Sequence, residues 1–265
     1  NEEFYIPNTS YPYTRVVYDP NNPGSQKKVA GSGDQHRMGS GHEQQSYTML
    51  EAGELMFVYG PLQSWIENDD LPAYQITKSI SVDPDGKQVV AFADMDGKLV
   101  ASCLAGQVNG QNTHNLAVSS TLSEMGYVDI HLPEGCQNSL RLFNTSNNDY
   151  TYKILDLQSN RYQLFSGSEE FRGTEPELPA GFYRIIETSG YHNSLDIAVN
   201  YELNYYEFAL NYYDKAGRLV KSIPPLGIDT DYLNSQFEVF TTTNFFSDNF
   251  HLFSTNGNTA STSYN

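Results

Sequence analysis

Acidic residues beside glycines are the first feature of this chain that could do chemistry. Asp83-Pro-Asp-Gly and Asp94-Met-Asp-Gly each place two carboxylates next to a glycine. Carboxylate oxygens gathered in a loop of this kind are the ligands that calcium prefers. Both segments lack a third carboxylate at alternate spacing and the closing glutamate of a calcium loop. We therefore favour plain hairpin turns, with calcium binding as the alternative.

Two histidines in a glycine-rich segment form a second candidate. His36 and His42, with Glu43, could offer metal ligands at neutral pH. Their spacing is not that of a zinc-protease helix, and the glycines around them indicate a loop. We favour an exposed loop over a metal site, and we predict no metal ligands in the chain.

The sequence gives no specific support for an enzyme active site. Pairs of carboxylates for glycoside hydrolysis could be drawn in many ways from 32 acidic residues, and only geometry would select among them. The G-x-S-x-G corner of a serine hydrolase is missing. We therefore predict a protein that is not an enzyme, with no catalytic residues and no cofactor.

The chain has two cysteines, Cys103 and Cys136. They form neither a CxxC pair nor a Cys/His spacing suited to zinc, so we predict two free thiols. The alternative is a single disulfide, which would require their Cα atoms to lie within about 7 Å of each other.

An internal repeat is the most specific signal. The pattern D-x-x-G-[K/R]-x-V occurs three times, beginning at Asp83, Asp94 and Asp214 and placing glycines at Gly86, Gly97 and Gly217. Its aspartate and glycine suit a tight turn, because glycine supplies positive φ, and the basic and apolar residues that follow begin an outgoing strand. Each copy of the pattern therefore predicts a hairpin.

The third copy resembles the tyrosine-aspartate repeat of the RHS (rearrangement hotspot) family, whose units are similar to Y-D-x-x-G-R-L. The first two copies are degenerate, since Val82 and Ala93 stand where the repeat has tyrosine. Near the C-terminus, Gly257 precedes Tyr264-Asn265 at a spacing similar to that of the repeat, so the sequence is expected to stop inside a unit. The third copy matches at Tyr213, Asp214, Gly217, Arg218 and Leu219.

The N-terminal region carries a second resemblance. Segments 11–18 and 27–37 are similar to the module that precedes the repeats in RHS proteins of Bacteroidota. The two resemblances imply part of a very large secreted or cell-surface protein, whose repeats wind into a hollow β-shell around a C-terminal effector, often a polymorphic toxin. They imply export by the type 9 secretion system. The partners expected are the remainder of the chain, the enclosed effector and the secretion machinery.

Short runs rich in tyrosine, phenylalanine, valine, threonine and isoleucine predict a mainly β protein of antiparallel hairpins. We expect four units: a loop-rich module at 1–60, degenerate hairpin repeats at 61–126, an inserted β-sandwich-like domain at 127–200 and the start of the repeats at 201–265. The clearest predicted strands are 89–93, 127–132, 139–144, 150–157, 162–165, 182–187 and 195–203.

Charge and hydropathy narrow the range of partners. The net charge of −17 repels nucleic acid and anionic membranes, and no apolar run is long enough to cross a bilayer. We therefore expect no nucleic-acid binding and no membrane insertion. The alternative function is a surface adhesin whose sandwich binds glycans or proteins. The aromatic residues of 201–213 could stack on sugars, but packing across strands is the favoured interpretation.

Overall fold

The computed structural model describes residues 10–20, 22–55, 76–106, 116–121, 126–144, 150–167, 177–189, 197–214, 216–227 and 262–263. These residues form strands and one short 3-10 turn at Pro225–Gly227, and every strand pairing is antiparallel. The prediction of a mainly β, antiparallel protein is confirmed. The described residues contain no helix long and apolar enough to span a bilayer.

Sixteen strands are present in the described ranges. They are β1 (Arg15–Tyr18), β2 (Gln26–Ala30), β3 (Gln44–Leu50), β4 (Thr77–Val82), β5 (Gln88–Ala93), β6 (Leu99–Ala105), β7 (Leu116–Thr121), β8 (Tyr127–Leu132), β9 (Arg141–Asn144), β10 (Tyr150–Asp156), β11 (Arg161–Gly167), β12 (Gly181–Ser189), β13 (Ile197–Leu203), β14 (Tyr205–Tyr213), β15 (Leu219–Ile223) and β16 (Thr262–Ser263).

The largest sheet has nine strands in the order β1-β2-β3-β4-β5-β6-β14-β15-β16. From β1 to β6 the order in space follows the order in the chain. The next neighbour of β6 is β14, which pairs with it through Tyr205↔Ala105 and Leu210↔Ala101. The chain between these two strands is therefore an insertion into one continuous sheet.

The insertion builds two smaller sheets. One has four strands in the order β11-β10-β12-β8, and the other has three in the order β7-β13-β9. All seven strands predicted from the sequence are present at or near the expected positions. Strand β13 ends at Leu203 and β14 begins at Tyr205, so a single residue, Asn204, connects the small sheets to the large one.

Period-two alternation decides which face of the large sheet is buried. In β4, Ile80 and Val82 point inward while Ser79 and Ser81 are exposed. Neighbouring strands contribute aromatic and aliphatic side chains to the same face. This face and the insertion share one hydrophobic cluster, which includes Tyr47, Met49, Val90, Phe92, Tyr205 and Phe208 from the large sheet and Ile130, Ile154, Phe182, Ile185 and Val199 from the insertion.

Residues 10–20 and 22–50, in the module expected to be loop-rich, contain more strand than predicted. Strands β1, β2 and β3 lie in this region and extend the large sheet beside β4. The glycines that indicated loops are confined to the connections between strands, where Gly24 and Gly33 have positive φ. Strand β7 also pairs with β13, across the expected boundary at 126/127. The division into four units remains a prediction.

The three repeat copies form hairpin turns with one hydrogen-bonding scheme. Gly86, Gly97 and Gly217 have φ of 84°, 79° and 76°, so the predicted positive-φ turns are confirmed. In the first turn, Oδ1 of Asp83 accepts the N–H groups of Asp85 and Lys87 at 2.9 and 2.8 Å. Asp94 and Asp214 accept the corresponding N–H groups in the other two turns. The aspartate thus satisfies backbone donors inside its own hairpin.

Replacing Gly86 by alanine tests the demand for positive φ, because a Cβ at this position meets no atom within 4 Å. We expect Gly86→Ala to lower the free energy of unfolding by about 1 kcal/mol, through backbone strain alone. Equilibrium urea denaturation measures the change. The matched control is Asp85→Ala in the same turn, where the exposed side chain is removed and little change is expected. Equal effects of the two substitutions would contradict this account.

Candidate functional site

The site that stands out is a buried group of ionisable side chains beneath the large sheet. Its first part is the segment Glu51–Leu55, directly after β3. The positive φ of Gly53, 88°, lets this segment turn back on itself. Both of its carboxylates then accept backbone N–H groups of the segment: Glu51 from Leu55 at 2.8 Å, and Glu54 from Ala52 at 3.0 Å. The turn thereby holds two acidic side chains in the core.

Lys78 of β4 completes this part of the site. It occupies an inward-facing position, in alternation with Ile80, and its Nζ contacts Oε1 of Glu54. Both side chains have zero exposure. An ion pair in such surroundings loses the hydration of both charges, so it stabilises a fold only when further hydrogen bonds satisfy the remaining donors and acceptors.

Burial shifts the pKa values of the neighbouring acidic groups so that their neutral forms are favoured. Burial, together with the adjacent Glu54 carboxylate, raises the pKa of Glu51 to about 8. Burial and the same carboxylate raise the pKa of the Tyr201 phenol well above its usual value. The Tyr201 hydroxyl is itself buried beside the Glu54 carboxyl group. The cluster therefore contains a protonated acid, a phenol and an amine in contact with a carboxyl group.

His131 of β8 forms a second polar contact between the insertion and the large sheet. Its Nε2 lies 2.8 Å from Oε1 of Gln88 in β5, and its Nδ1 lies 2.8 Å from the hydroxyl of Tyr205 in β14. The amide oxygen can only accept, so Nε2 carries the proton and Nδ1 accepts from the tyrosine. The ring also stacks on Phe182, which in turn stacks on Tyr47. Burial, and secondarily the charge of Lys78, lowers the pKa of His131 well below its usual value.

Asp129 is a third buried contact between the sheets. Its Oδ2 accepts the N–H of Leu50 in β3 at 3.0 Å. Both of its oxygens also accept from the Arg184 guanidinium, at 2.6 and 2.8 Å. The guanidinium lies over the ring of Tyr127, 4.1 Å from the centroid. A carboxylate with three donors is well satisfied, so this residue fixes the insertion against the end of β3.

The residues singled out in the sequence lie away from this cluster, in the hairpin turns. The turns at Asp94 and Asp214 are neighbours at one end of the sheet, since a Cβ on Gly217 would meet the Lys98 side chain at 2.9 Å. The hydroxyl of Tyr213 donates to the carbonyl of Leu99 at 3.0 Å. The side chain of Leu219 is 38% exposed. Asp214 pairs with Arg218 at the surface.

The two histidines of the glycine-rich segment lie close together. The rings of His36 and His42 are 6.2 Å apart, and Nδ1 of His42 donates to the carbonyl of Pro84 at 2.9 Å. The Glu43 carboxylate accepts the backbone N–H groups of Gly39 and Gly41, which uses its oxygens within the loop. Among the described residues, no group of three or more histidine, cysteine, aspartate or glutamate side chains is placed to hold a metal ion.

Cys103 and Cys136 are free thiols, as predicted, and both are buried. Burial raises the pKa of Cys136 to about 12 and that of Cys103 well above its usual value. A thiol nucleophile or metal ligand has to ionise. Neither cysteine is therefore suited to chemistry near neutral pH.

The buried cluster was not predicted from the sequence. Its one local signal is in β4, where Lys78 lies on the same inward face as Ile80 and Val82, while the outward positions are threonine and serine. A lysine in an inward-facing register implies a buried acidic partner. Nothing in the local pattern identifies Glu54 as that partner, because the two residues are 24 positions apart.

Comparison with known proteins identifies no family. No family model matches the chain, and no curated protein matches it. Among solved structures, the chain is similar to the capsular polysaccharide assembling protein CapF from Staphylococcus aureus, at 10% sequence identity and a TM-score of 0.20. The match covers 43% of this chain and 28% of that protein, so the chain spans less than a third of its length. A similarity this low carries no argument about function.

The buried His131 predicts a loss of stability in acid. Below its ordinary pKa of about 6.5 the unfolded chain binds a proton on this residue and the folded chain does not. Stability present above that pH is therefore lost as the pH falls, by about 1 kcal/mol per pH unit. His131→Gln keeps a donor and an acceptor without titrating, so this variant should lose less stability between about pH 7 and pH 5 in urea denaturation. His42→Gln is the control and should follow the unsubstituted protein. Parallel curves for all three proteins would contradict the assignment.

Proposed function

We propose that this chain is a non-enzymatic structural segment of a large secreted or cell-surface protein of the RHS type, in which it forms part of the wall of a β-shell around a C-terminal effector. The observation that supports the proposal is the recurrence of one hairpin, with the same hydrogen bonds, three times in one continuous sheet. The proposed role is mechanical: the wall encloses, protects and presents the effector.

The hairpin is suited to repetition because the backbone N–H groups of its turn find an acceptor within the same turn. Asp83, Asp94 and Asp214 each accept backbone N–H groups from within the same turn, so the unit needs no partner outside its strands. Its two strands then pair with the strands on either side. The β5-β6 hairpin lies directly beside the β14-β15 hairpin, although the whole insertion separates them in the chain. Further copies of the same hairpin can therefore extend a sheet by pairing with the last strand.

The tyrosine of the third copy has a specific place in this arrangement. The hydroxyl of Tyr213 donates to the carbonyl of Leu99, which is in the preceding hairpin. A tyrosine at this position therefore joins one hairpin to its neighbour along the sheet. Val82 and Ala93 stand at the same position in the first two copies and carry no such donor. This difference is consistent with a degenerate start to a longer array.

The whole protein tests the proposal. We expect electron cryomicroscopy of the full-length protein to show further tyrosine-aspartate hairpins that continue the sheet beyond β16 and close around a C-terminal effector. The effector in the intact protein should resist a protease that digests it when it is produced alone. A full-length protein without further hairpins, or an effector that is digested equally in both forms, would refute the shell.

One observation favours an adhesin as the second candidate. On the outer face of the four-stranded sheet, Tyr162 is 60% exposed and Leu164 is 63% exposed. The Nζ of Lys153 lies 5.7 Å from the centre of the Tyr162 ring. An open aromatic ring beside a cation can stack on a sugar ring and bind its polar groups.

Glycan binding by the whole chain distinguishes this second candidate. If the outer face binds sugars, Tyr162→Ala should lower the signal on a glycan array by about tenfold, the loss expected for one stacking contact of about 1.4 kcal/mol. Tyr18→Ala is a matched control, since Tyr18 is similarly exposed at 57% but lies on β1, which belongs to the nine-stranded sheet. No binding to any glycan, or equal losses in both variants, would exclude this face as a sugar site.

A further inference from the structure

The hydrogen bonding of Lys78 does not match that of an ordinary buried ion pair. An ammonium group has three N–H donors, and buried donors in proteins nearly always have acceptors. Within the described part of the chain, Nζ of Lys78 has one acceptor, Oε1 of Glu54. Neither side chain is exposed to solvent. As an ammonium, Lys78 is therefore left with two donors that no described residue satisfies.

The charges of the cluster are also unbalanced. Two carboxyl groups, Glu51 and Glu54, share the site with a single amine. Burial and the neighbouring carboxylate raise the pKa of Glu51 to about 8, so it holds a proton at neutral pH. The site thus combines an amine in contact with a carboxyl group and a second carboxyl group that can give up and regain a proton, away from water.

We propose that the Lys78 amine and the Glu54 carboxyl group condense within the folded protein to form an intramolecular amide, with the release of one water molecule. The inference uses only the buried cluster, so it holds for either of the functions considered above. It assigns a covalent modification site to two residues outside the D-x-x-G-[K/R]-x-V motif.

The bond changes balance without an oxidant or a second reactant. A proton passes from the Lys78 ammonium to the Glu54 carboxylate, which leaves a neutral amine and a neutral acid. The lone pair of Nζ then attacks Cδ of Glu54, and the C–N bond forms as the C–Oε1 bond breaks. Glu51 gives its proton to the departing hydroxyl group and takes one from the nitrogen, so it ends protonated as it began. The products are an amide and water.

The amide accounts for the hydrogen bonds that the ion pair leaves open. Its nitrogen has one N–H in place of three, which removes the unsatisfied donors. The oxygen that remains on Glu54 is Oε2, which already accepts the N–H of Ala52 at 3.0 Å. The buried Tyr201 hydroxyl lies beside Glu54 and can donate to the carbonyl of the amide.

Intact-mass measurement of the denatured full chain tests the proposal. We expect a mass lower than that of the sequence by one water molecule, and a tryptic map in which cleavage after Lys78 is lost and the peptide with Glu54 is joined to the peptide with Lys78. The two Asp-Gly sequences at Gly86 and Gly97 can also lose water by cyclising to succinimides. The position of the loss is therefore decisive. A folded chain of full mass, or a loss located at an Asp-Gly pair, would overturn the proposal.

Variants separate the roles of the three residues. Lys78→Met and Glu54→Ala should restore the full mass. Glu51→Gln keeps an acceptor for the Leu55 N–H but cannot relay a proton, so it should give a chain that is folded by circular dichroism and mostly uncoupled. Lys98→Met is the matched control, because Lys98 pairs with Asp96 at the surface and its loss should leave the mass deficit unchanged. Complete coupling in Glu51→Gln would overturn the role given to Glu51.

Discussion

The structure depends on covering one face of the nine-stranded sheet. That face carries Tyr47, Phe92 and Tyr205, and a sheet with an exposed aromatic face is neither stable nor soluble. The chain inserted between β6 and β14 covers this face, since Phe182 of the four-stranded sheet stacks on Tyr47 with the ring centroids 3.8 Å apart. The two parts share one hydrophobic cluster, so the insertion buries the face that the large sheet would otherwise expose.

Polar groups determine how the insertion sits on that face. Apolar contacts alone tolerate small displacements, whereas hydrogen bonds in a medium of low dielectric require defined partners. His131 contacts Gln88 and Tyr205 on two strands of the large sheet, and Asp129 contacts the backbone of Leu50 on a third. These contacts fix the rotation and register of the four-stranded sheet against the larger one. Burial also makes the His131 contacts sensitive to protonation, because Nδ1 can accept from the Tyr205 hydroxyl only while the ring is neutral.

The sequence predicts the local features of this fold well, because a turn and its flanking strands are close in the chain. The positive φ of Gly86 and the strand at 127–132 follow from residues within a few positions. The strands β1, β2 and β3 were not predicted, since their short apolar runs are separated by glycine-rich turns and their sheet continues into β4, which lies far along the chain. Lys78 and Glu54 escaped prediction for a related reason: their meeting depends on the pairing of β3 with β4, which no local pattern encodes.

A covalent link between Glu54 and Lys78 would act chiefly on the unfolded chain. Strands β3 and β4 already pair through Leu50↔Thr77, so the link adds little to the contacts of the folded sheet. It would, however, close a segment of 24 residues, which in the chain-entropy treatment lowers the entropy of the unfolded state by the equivalent of about 3 kcal/mol. A force that pulls β3 away from β4 would then pass through the amide rather than extend the connection between the strands. If the chain has the mechanical role proposed above, this amide would resist such a force better than an ion pair does.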